Sequence, residues 1–192
     1  AGTVQGLWRW DSETVVPYQE GWLANQDGSK SRHFSQPGVS LGDVLIPRSD
    51  GGVWIGADNN LASIDRELRF NEELLLDSTQ TINTLLEDRN GTLWIGMSAN
   101  TPGEKLFSFR DGHLDSLDLG KIEFGINAMH EDSEGSLWIG TQNGLWRMRG
   151  DILDHFTVSE GLSSNYIRSI ASDPKGKVWI ATRGGGMLVH RW

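Results

Sequence analysis

Cysteine is absent from the chain, and no stretch of it stays apolar over the length of a membrane span. Without cysteine there is no disulfide, no thiolate nucleophile and no thiolate metal ligand. A helix that crosses a bilayer needs about 20 consecutive apolar residues, and no run approaches that length. These absences exclude thiol chemistry and a membrane-spanning helix, but they leave the cellular compartment open.

Positive charge is also scarce. The 192-residue chain has 17 basic and 26 acidic residues, a formal net charge of −9, and no block of Lys or Arg offsets this excess. Phosphate backbones and anionic lipid surfaces are bound mainly through basic side chains. The charge balance therefore argues against nucleic acid as a partner and against direct contact with a membrane surface.

Four segments, by contrast, share one pattern, in which a glycine stands three residues before a Trp-Ile pair. Their tryptophans are Trp54, Trp94, Trp138 and Trp179, at intervals of 40, 44 and 41 residues. A four-stranded propeller blade takes about 40–45 residues, and the β-branched and aromatic centres of the repeats favour strands. The sequence therefore predicts an all-β protein, a β-propeller of about four four-stranded blades, with the four tryptophans buried.

A β-turn is predicted before each of these Trp strands. Asp88, Asp132 and Asp173 stand six residues before their tryptophans, and a glycine follows each of them three residues later. Asp accepts backbone hydrogen bonds at the first turn position, and Gly suits the fourth. Arg48 interrupts this pattern in the first repeat. In the last repeat the turn predicts a hairpin of residues 167–172 with residues 177–182.

The remaining strands follow from the same register. A third strand is predicted after each tryptophan and a weaker fourth at residues 152–158; the third strands are residues 61–64, 106–109, 145–148 and 187–190. Because residues 3–9 match residues 141–147, residues 3–48 are predicted to form a partial blade, so that propeller repeats occupy residues 1–192. Residues 25–38, rich in polar residues, are interpreted as an inserted loop, either for binding or as a surface excursion.

Residues 161–182 closely resemble the two-component regulator propeller repeat, and the other three repeats resemble it more loosely. The resemblance implies a ligand-binding sensor module of a bacterial signal-transduction receptor, periplasmic or extracytoplasmic, with a histidine kinase or diguanylate cyclase as its output. Several members are thought to sense carbohydrates, and members commonly have more blades than four. It therefore implies a piece of a larger ring, or an unusually short member, that binds a polar small molecule such as an oligosaccharide.

A ligand is expected on the propeller face whose loops are rich in Asn, Gln, Ser and Gly. Amide side chains both donate and accept hydrogen bonds, as recognition of a hydroxylated ligand requires, although Asn and Gly also serve turn geometry. Trp22 stands outside the repeat register and is a candidate for stacking on a ligand. The candidate ligand-binding residues are Trp22, Asp58, Asn59, Asn83, Asn100, Asn127, Gln142, Asn165, Arg168 and Arg183.

No catalytic residue, metal site or cofactor is predicted. Ser40 lies in a Gly-x-Ser-x-Gly pattern, but that motif needs a strand-turn-helix setting with His and acid partners. The five histidines lack metal-ligand spacing. We therefore expect a binding module without enzymatic activity, with a propeller lyase or glycosidase and a protein-interaction scaffold as alternatives. The terminal strands leave unpaired edges, which are expected to pair with further blades or with a second copy.

Overall fold

The structure is a computed structural model. It describes residues 44–67, 69–76, 80–98, 105–117 and 124–190, except for the side chains of Phe70, Glu72 and His190, and before residue 44 it describes only the backbone of residues 2–3, 6–11, 14–17, 19–24 and 30–33. Twenty strands lie in these residues. They are β1 (Gly2–Thr3), β2 (Gly6–Asp11), β3 (Thr14–Pro17), β4 (Gln19–Ala24), β5 (Lys30–His33), β6 (Val44–Pro47), β7 (Val53–Ala57), β8 (Asn60–Ile64), β9 (Phe70–Leu75), β10 (Ile82–Glu87), β11 (Leu93–Met97), β12 (Leu106–Arg110), β13 (His113–Leu117), β14 (Ile126–Glu131), β15 (Leu137–Thr141), β16 (Gly144–Arg149), β17 (Ile152–Phe156), β18 (Ile167–Ser172), β19 (Val178–Thr182) and β20 (Gly186–His190).

The strands form successive sheets in which chain neighbours pair. Three sheets have four strands, β6–β9, β10–β13 and β14–β17, while β18–β20 and β1–β3 have three and β4–β5 has two. The pairing within the three later Trp-marked sheets is antiparallel wherever the register is defined. This is the arrangement of propeller blades, and the predicted all-β propeller fold is confirmed. Among the described residues, no helix has the length and apolar character needed to cross a membrane.

The chain divides into two compact units, Ala1–Leu85 and Leu86–Trp192. In the first unit, Thr3 lies opposite Gly6, just as Thr141 lies opposite Gly144 in the second unit. The interpretation of residues 25–38 as a loop is wrong in part. Residues 30–33 form β5, which pairs with β4 and satisfies backbone groups of that strand.

In the second unit, sheets pack face to face through alternate residues of each strand. Leu137 and Ile139 of β15 pack with Leu106 and other residues of the preceding sheet. Trp138, between them, packs on the opposite side with Ile167 of the following sheet. Because successive side chains of a strand point to opposite faces, the Trp-Ile pair supplies one large side chain to each of two neighbouring cores.

The glycine after Trp-Ile is required by this packing. A Cβ added to Gly140 would lie 2.5 Å from Cγ2 of Ile167, and one added to Gly56 would lie 2.7 Å from Cγ2 of Ile82. Both distances are far shorter than any ordinary carbon contact, so a glycine at this position lets the first strand of the next sheet approach closely.

The aspartates that open the turns also hold the tryptophans. In the third repeat, Oδ1 of Asp132 accepts hydrogen bonds from the backbone N–H groups of Glu134 and Ser136, both at 2.9 Å, while Oδ2 accepts one from Nε1 of Trp138 at 2.8 Å. The same pattern joins Asp88 to Trp94 at 3.0 Å. Gly135 closes the turn by donating to the carbonyl of Asp132. We call this arrangement the Asp–Trp tie.

Arg48 replaces the aspartate in the first repeat, and the turn still forms. The N–H of Gly51 donates to the carbonyl of Arg48 at 3.1 Å, and Asp50 pairs with Arg48 at 2.9 Å. The guanidinium carbon of Arg48 lies 4.4 Å from the ring centroid of Trp54. In this repeat a cation over the indole face stands where the other repeats have the turn aspartate.

Burial of the four tryptophans is graded. Trp138 is fully buried and Trp54 is 9% exposed, whereas Trp94 is only partly buried and Trp179 is 36% exposed. The expectation that all four are buried is therefore wrong for Trp179. On the same sheet Met187 and Val189 are also exposed, so the face that the other repeats bury is open here within the described residues.

Candidate functional site

Three loops meet at one end of the second unit: the β15–β16 turn, the loop before β18 and the β19–β20 turn. The N–H of Gly144 donates to the carbonyl of Asn165 at 2.8 Å, and the N–H of Arg183 donates to the carbonyl of Tyr166 at 2.8 Å. The hydroxyl groups of Ser163 and Thr182 lie 3.2 Å apart. These bonds join the three loops into one surface, which we call the loop face.

A short 3-10 helix, Val158–Glu160, positions the middle loop. It begins with a capping box, in which the N–H and hydroxyl of Thr157 both donate to Oε2 of Glu160 at 2.7 Å. These hydrogen bonds lower the pKa of Glu160, so its carboxylate is charged near neutral pH. Oδ1 of Asn165 then accepts a hydrogen bond from the N–H of Val158 at 2.8 Å, which closes the loop on itself.

Histidine and glycine fix the β15–β16 turn from the other side. The ring of His155 stacks on Trp146 at a centroid distance of 3.7 Å, and its Nε2 lies 2.9 Å from the carbonyl of Asn143. Gly144 has φ +117°, and a Cβ there would lie 2.5 Å from the His155 ring. The turn that carries Gln142 is thus held in one conformation by packing beneath it.

Two of the predicted ligand residues, together with a tyrosine, form the most polar cluster of the loop face. The guanidinium carbon of Arg168 lies 5.1 Å from the ring centroid of Tyr166, and that of Arg183 lies 5.4 Å from the same centroid. Both arginines are exposed and the tyrosine is half-buried. We call these three residues the Tyr–Arg cluster. Tyr166 is not among the ligand residues predicted from the sequence.

Three predicted ligand residues make side-chain hydrogen bonds within the protein. Nδ2 of Asn127 donates to the carbonyl of Ile167 at 2.9 Å, joining β14 to β18. Nδ2 of Asn59 donates to the carbonyl of Leu76 at 2.8 Å. Asn165 uses its Oδ1 within its own loop. For Asn127 and Asn59 these contacts support a structural role that joins separate segments, which differs from the turn geometry considered for them.

Some of the other predicted ligand residues have described side chains, and some lie outside the described residues. Gln142 is exposed on the loop face, and Asp58 and Asn83 are exposed in the first unit. Asp58 has φ +49°, a left-handed conformation that aspartate tolerates in turns. The side chains of Trp22 and Asn100 lie outside the described residues, as does Ser40. The loop face therefore brings together Gln142, Asn165, Arg168 and Arg183.

Beside this surface lies a groove between the last two sheets of the second unit. Its volume is about 160 Å³, and its lining residues include Trp138, Phe156, Leu162 and Leu188, with the single carboxylate of Glu160. Across the described ranges, no group of three or more His, Asp or Glu side chains is placed to hold a metal ion.

Comparison with known proteins agrees with this architecture. The family model described as two component regulator propeller matches residues 76–99, 125–143 and 161–184. No curated protein matches the chain. The extracellular domains of two putative hybrid two-component systems from B. thetaiotaomicron are each 23% identical to it, with TM-scores of 0.70 and 0.69.

Coverage differs between the similar structures. Both of those domains match all of this chain, which covers 25% and 27% of their chains, so it spans about a quarter of their length. Virginiamycin B lyase from Staphylococcus aureus is 16% identical, with a TM-score of 0.67 over 98% of this chain and 71% of the lyase. At these identities the structural likeness shows the fold alone. The family match covers three of the four Trp-marked repeats, and these three are similar to the two-component regulator propeller repeat.

Proposed function

We propose that the chain is a ligand-binding part of an extracytoplasmic bacterial signal receptor and that it binds a polar, carbohydrate-like molecule on the loop face. The observation that carries the proposal is the convergence of Gln142, Arg168 and Arg183 on one surface, in repeats of a family of regulator propellers. The extracellular domains with the same fold belong to putative two-component systems, which supports a role in signalling outside the cytoplasm.

The chemistry of the loop face suits a hydroxylated ligand. Gln142 is exposed and presents both a donor and an acceptor, while the guanidinium groups present several donors each. The aromatic ring of Tyr166 offers an apolar surface of the kind on which a sugar ring packs. Hydrogen bonds beneath the surface hold these groups in place, which lowers the entropic cost of binding.

An enzyme is the second candidate, because the lyase from Staphylococcus aureus shares the fold over 98% of this chain. We propose that this chain has no catalytic activity. Turnover of a lyase or glycoside substrate by the purified protein, abolished by a substitution on the loop face, would establish the enzyme instead.

Backbone amide chemical shifts, recorded during titration with a panel of neutral and acidic oligosaccharides, test the proposed site. We expect shifts at residues 142–144, 163–166 and 183–185. Gln142→Ala should weaken binding, because it removes exposed hydrogen-bonding groups without disturbing a described contact. Asn90→Ala, on the β10–β11 turn, is the matched control and should bind as the wild type does. Shifts confined to the turns at Asp88 and Asp132 would place the ligand elsewhere and contradict the location.

A further inference from the structure

Two arginines of the loop face lie beside one tyrosine ring, and no described residue supplies a counter-ion to either of them. Arg168 and Arg183 are at 5.1 and 5.4 Å from the Tyr166 centroid. Within the described residues, neither guanidinium makes an ion pair or a side-chain hydrogen bond. Two positive charges held near one ring repel each other, while each guanidinium also makes a cation–π contact with that ring.

The other arginines show how unusual this is for the chain. In the described part of the chain, every other arginine side chain contacts a carboxylate or a backbone carbonyl. These arginines are Arg48, Arg66, Arg69, Arg89, Arg110, Arg147 and Arg149. Acidic residues outnumber basic ones by 26 to 17, yet no carboxylate in the described ranges forms an ion pair with Arg168 or Arg183.

The cluster is also particular to one repeat. Relative to the repeat tryptophan, Tyr166, Arg168 and Arg183 stand at positions −13, −11 and +4. The second repeat has Thr81, Asn83 and Ser98 at these positions, and the third has Gly125, Asn127 and Gln142. The strands and turns form with neutral residues there, so the blade itself does not require two arginines and a tyrosine.

We infer that the Tyr–Arg cluster binds the carboxylate or sulfate group of an acidic sugar. Arginine presents its donors in a planar fork that fits the oxygens of either group, and such charge-assisted hydrogen bonds are stronger than neutral ones. The ring of Tyr166 is placed to pack against the sugar that carries the anion. The inference rests on the proposed function and specifies the charge of its ligand.

The backbone supports this role. The N–H of Arg183 donates to the carbonyl of Tyr166, so the β19–β20 turn is tied to the strand that carries Arg168. At Gly185, a Cβ would lie 2.6 Å from the carbonyl oxygen of Ser163, which shows how closely the turn approaches the neighbouring loop. The two arginines are therefore fixed relative to each other by their backbones before a ligand arrives.

Isothermal titration at low ionic strength with matched ligand pairs tests the inference. One pair is a short oligogalacturonide and its fully methyl-esterified form; the other is a sulfated oligosaccharide and its desulfated form. We expect one acidic member to bind roughly tenfold to a hundredfold more tightly than its neutral partner, the range that one or two charge-assisted hydrogen bonds confer. Which pair shows the difference identifies the anion. Added salt should reduce that difference.

Variants of the protein complete the test. Arg168→Gln and Arg183→Gln should each lower the affinity for the acidic ligand about tenfold and leave that for the neutral partner unchanged. Arg110→Gln, which removes the same charge from the β12–β13 turn, is the control and should bind as the wild type does. Urea unfolding midpoints of all three variants should match the wild type, since none of these side chains is buried.

The possible failures are distinguishable. Equal affinity for the acidic and neutral members of both pairs would refute the acidic ligand and leave carbohydrate binding intact. Inorganic sulfate binding as tightly as the acidic sugar would refute the contribution of the sugar ring. Absence of binding by every oligosaccharide would contradict the proposed function as well.

Discussion

Replacement of Asp132 by alanine should destabilise the protein more than any other single change at the turns. The substitution removes all three hydrogen bonds of the Asp–Trp tie in the third repeat. Burial by itself raises the pKa of Asp132, but hydrogen bonds from Trp138, Ser136 and Glu134 outweigh burial and hold that pKa below its ordinary value. The group lost is therefore a charged acceptor.

The size of the effect follows from which donors are left without an acceptor. The N–H of Glu134 lies in an exposed turn and can donate to water, whereas Ser136 and the indole of Trp138 are buried. A hydrogen bond to a charged group contributes about 1.5–3 kcal/mol, and a buried donor without a partner costs about 1–3 kcal/mol. We expect Asp132→Ala to lower the free energy of unfolding by about 3 kcal/mol, since the separate contributions do not add fully.

The fourth repeat supplies the control. Nε1 of Trp179 lies 3.4 Å from Oδ2 of Asp173, and Trp179 is 36% exposed, so water can replace the lost carboxylate. Asp173→Ala should therefore cost much less. Urea unfolding followed by far-UV circular dichroism measures both, and the effect of Asp132→Ala should shrink in a Trp138→Phe background. Equal losses for the two aspartates, or no coupling to Trp138, would refute the assignment of the cost to the indole.

Three further predictions concern the same unit. Because the pKa of Asp132 is lower in the folded than in the unfolded state, its contribution to the free energy of unfolding is complete above about pH 4 and is lost as the pH falls through its folded-state pKa. Asp132→Asn should therefore make the free energy of unfolding less dependent on pH below about pH 4. Burial lowers the pKa of His130 more than Asp132 and Glu131 raise it, so stability should decline as the pH falls below about 6.5, and His130→Gln should remove that decline in urea titrations. Gly140→Ala should cost about 1–3 kcal/mol through its clash with Ile167, and an unchanged unfolding midpoint would show that the sheets can separate at no cost.

The features that could be predicted from the sequence are local ones. Turn chemistry and strand alternation act over a few residues, so the hairpin of residues 167–172 with residues 177–182 was predicted to within one residue. The Asp–Trp tie was missed, because contact between side chains six residues apart depends on the twist of the hairpin. The exposure of Trp179 was missed because the burial of a side chain depends on which other segments pack against its sheet. The repeat pattern of a sheet that is covered is the same as that of a sheet that is open.

In the candidate site, too, local features could be predicted from the sequence, whereas contacts between distant residues could not. Composition located a polar surface, but it could not separate an amide that faces solvent from one that binds a carbonyl of the next sheet, as Asn127 does. Nor could it pair Arg168 with Arg183, which stand fifteen residues apart in the chain and meet only because β18 and β19 are adjacent. Tyr166 gave no signal in the sequence beyond its place in a loop.

The Asp–Trp tie also bears on the order in which the chain folds. Asp132 and Trp138 are six residues apart, and closing so short a loop takes far less conformational entropy than bringing two distant segments together. Each β-hairpin that has the tie can therefore gain its hydrogen-bonded indole before any neighbouring sheet is present to cover it. Folding then becomes a sequence of pre-formed hairpins docking on one another, in which the indole serves first as a local anchor and only later as part of a core.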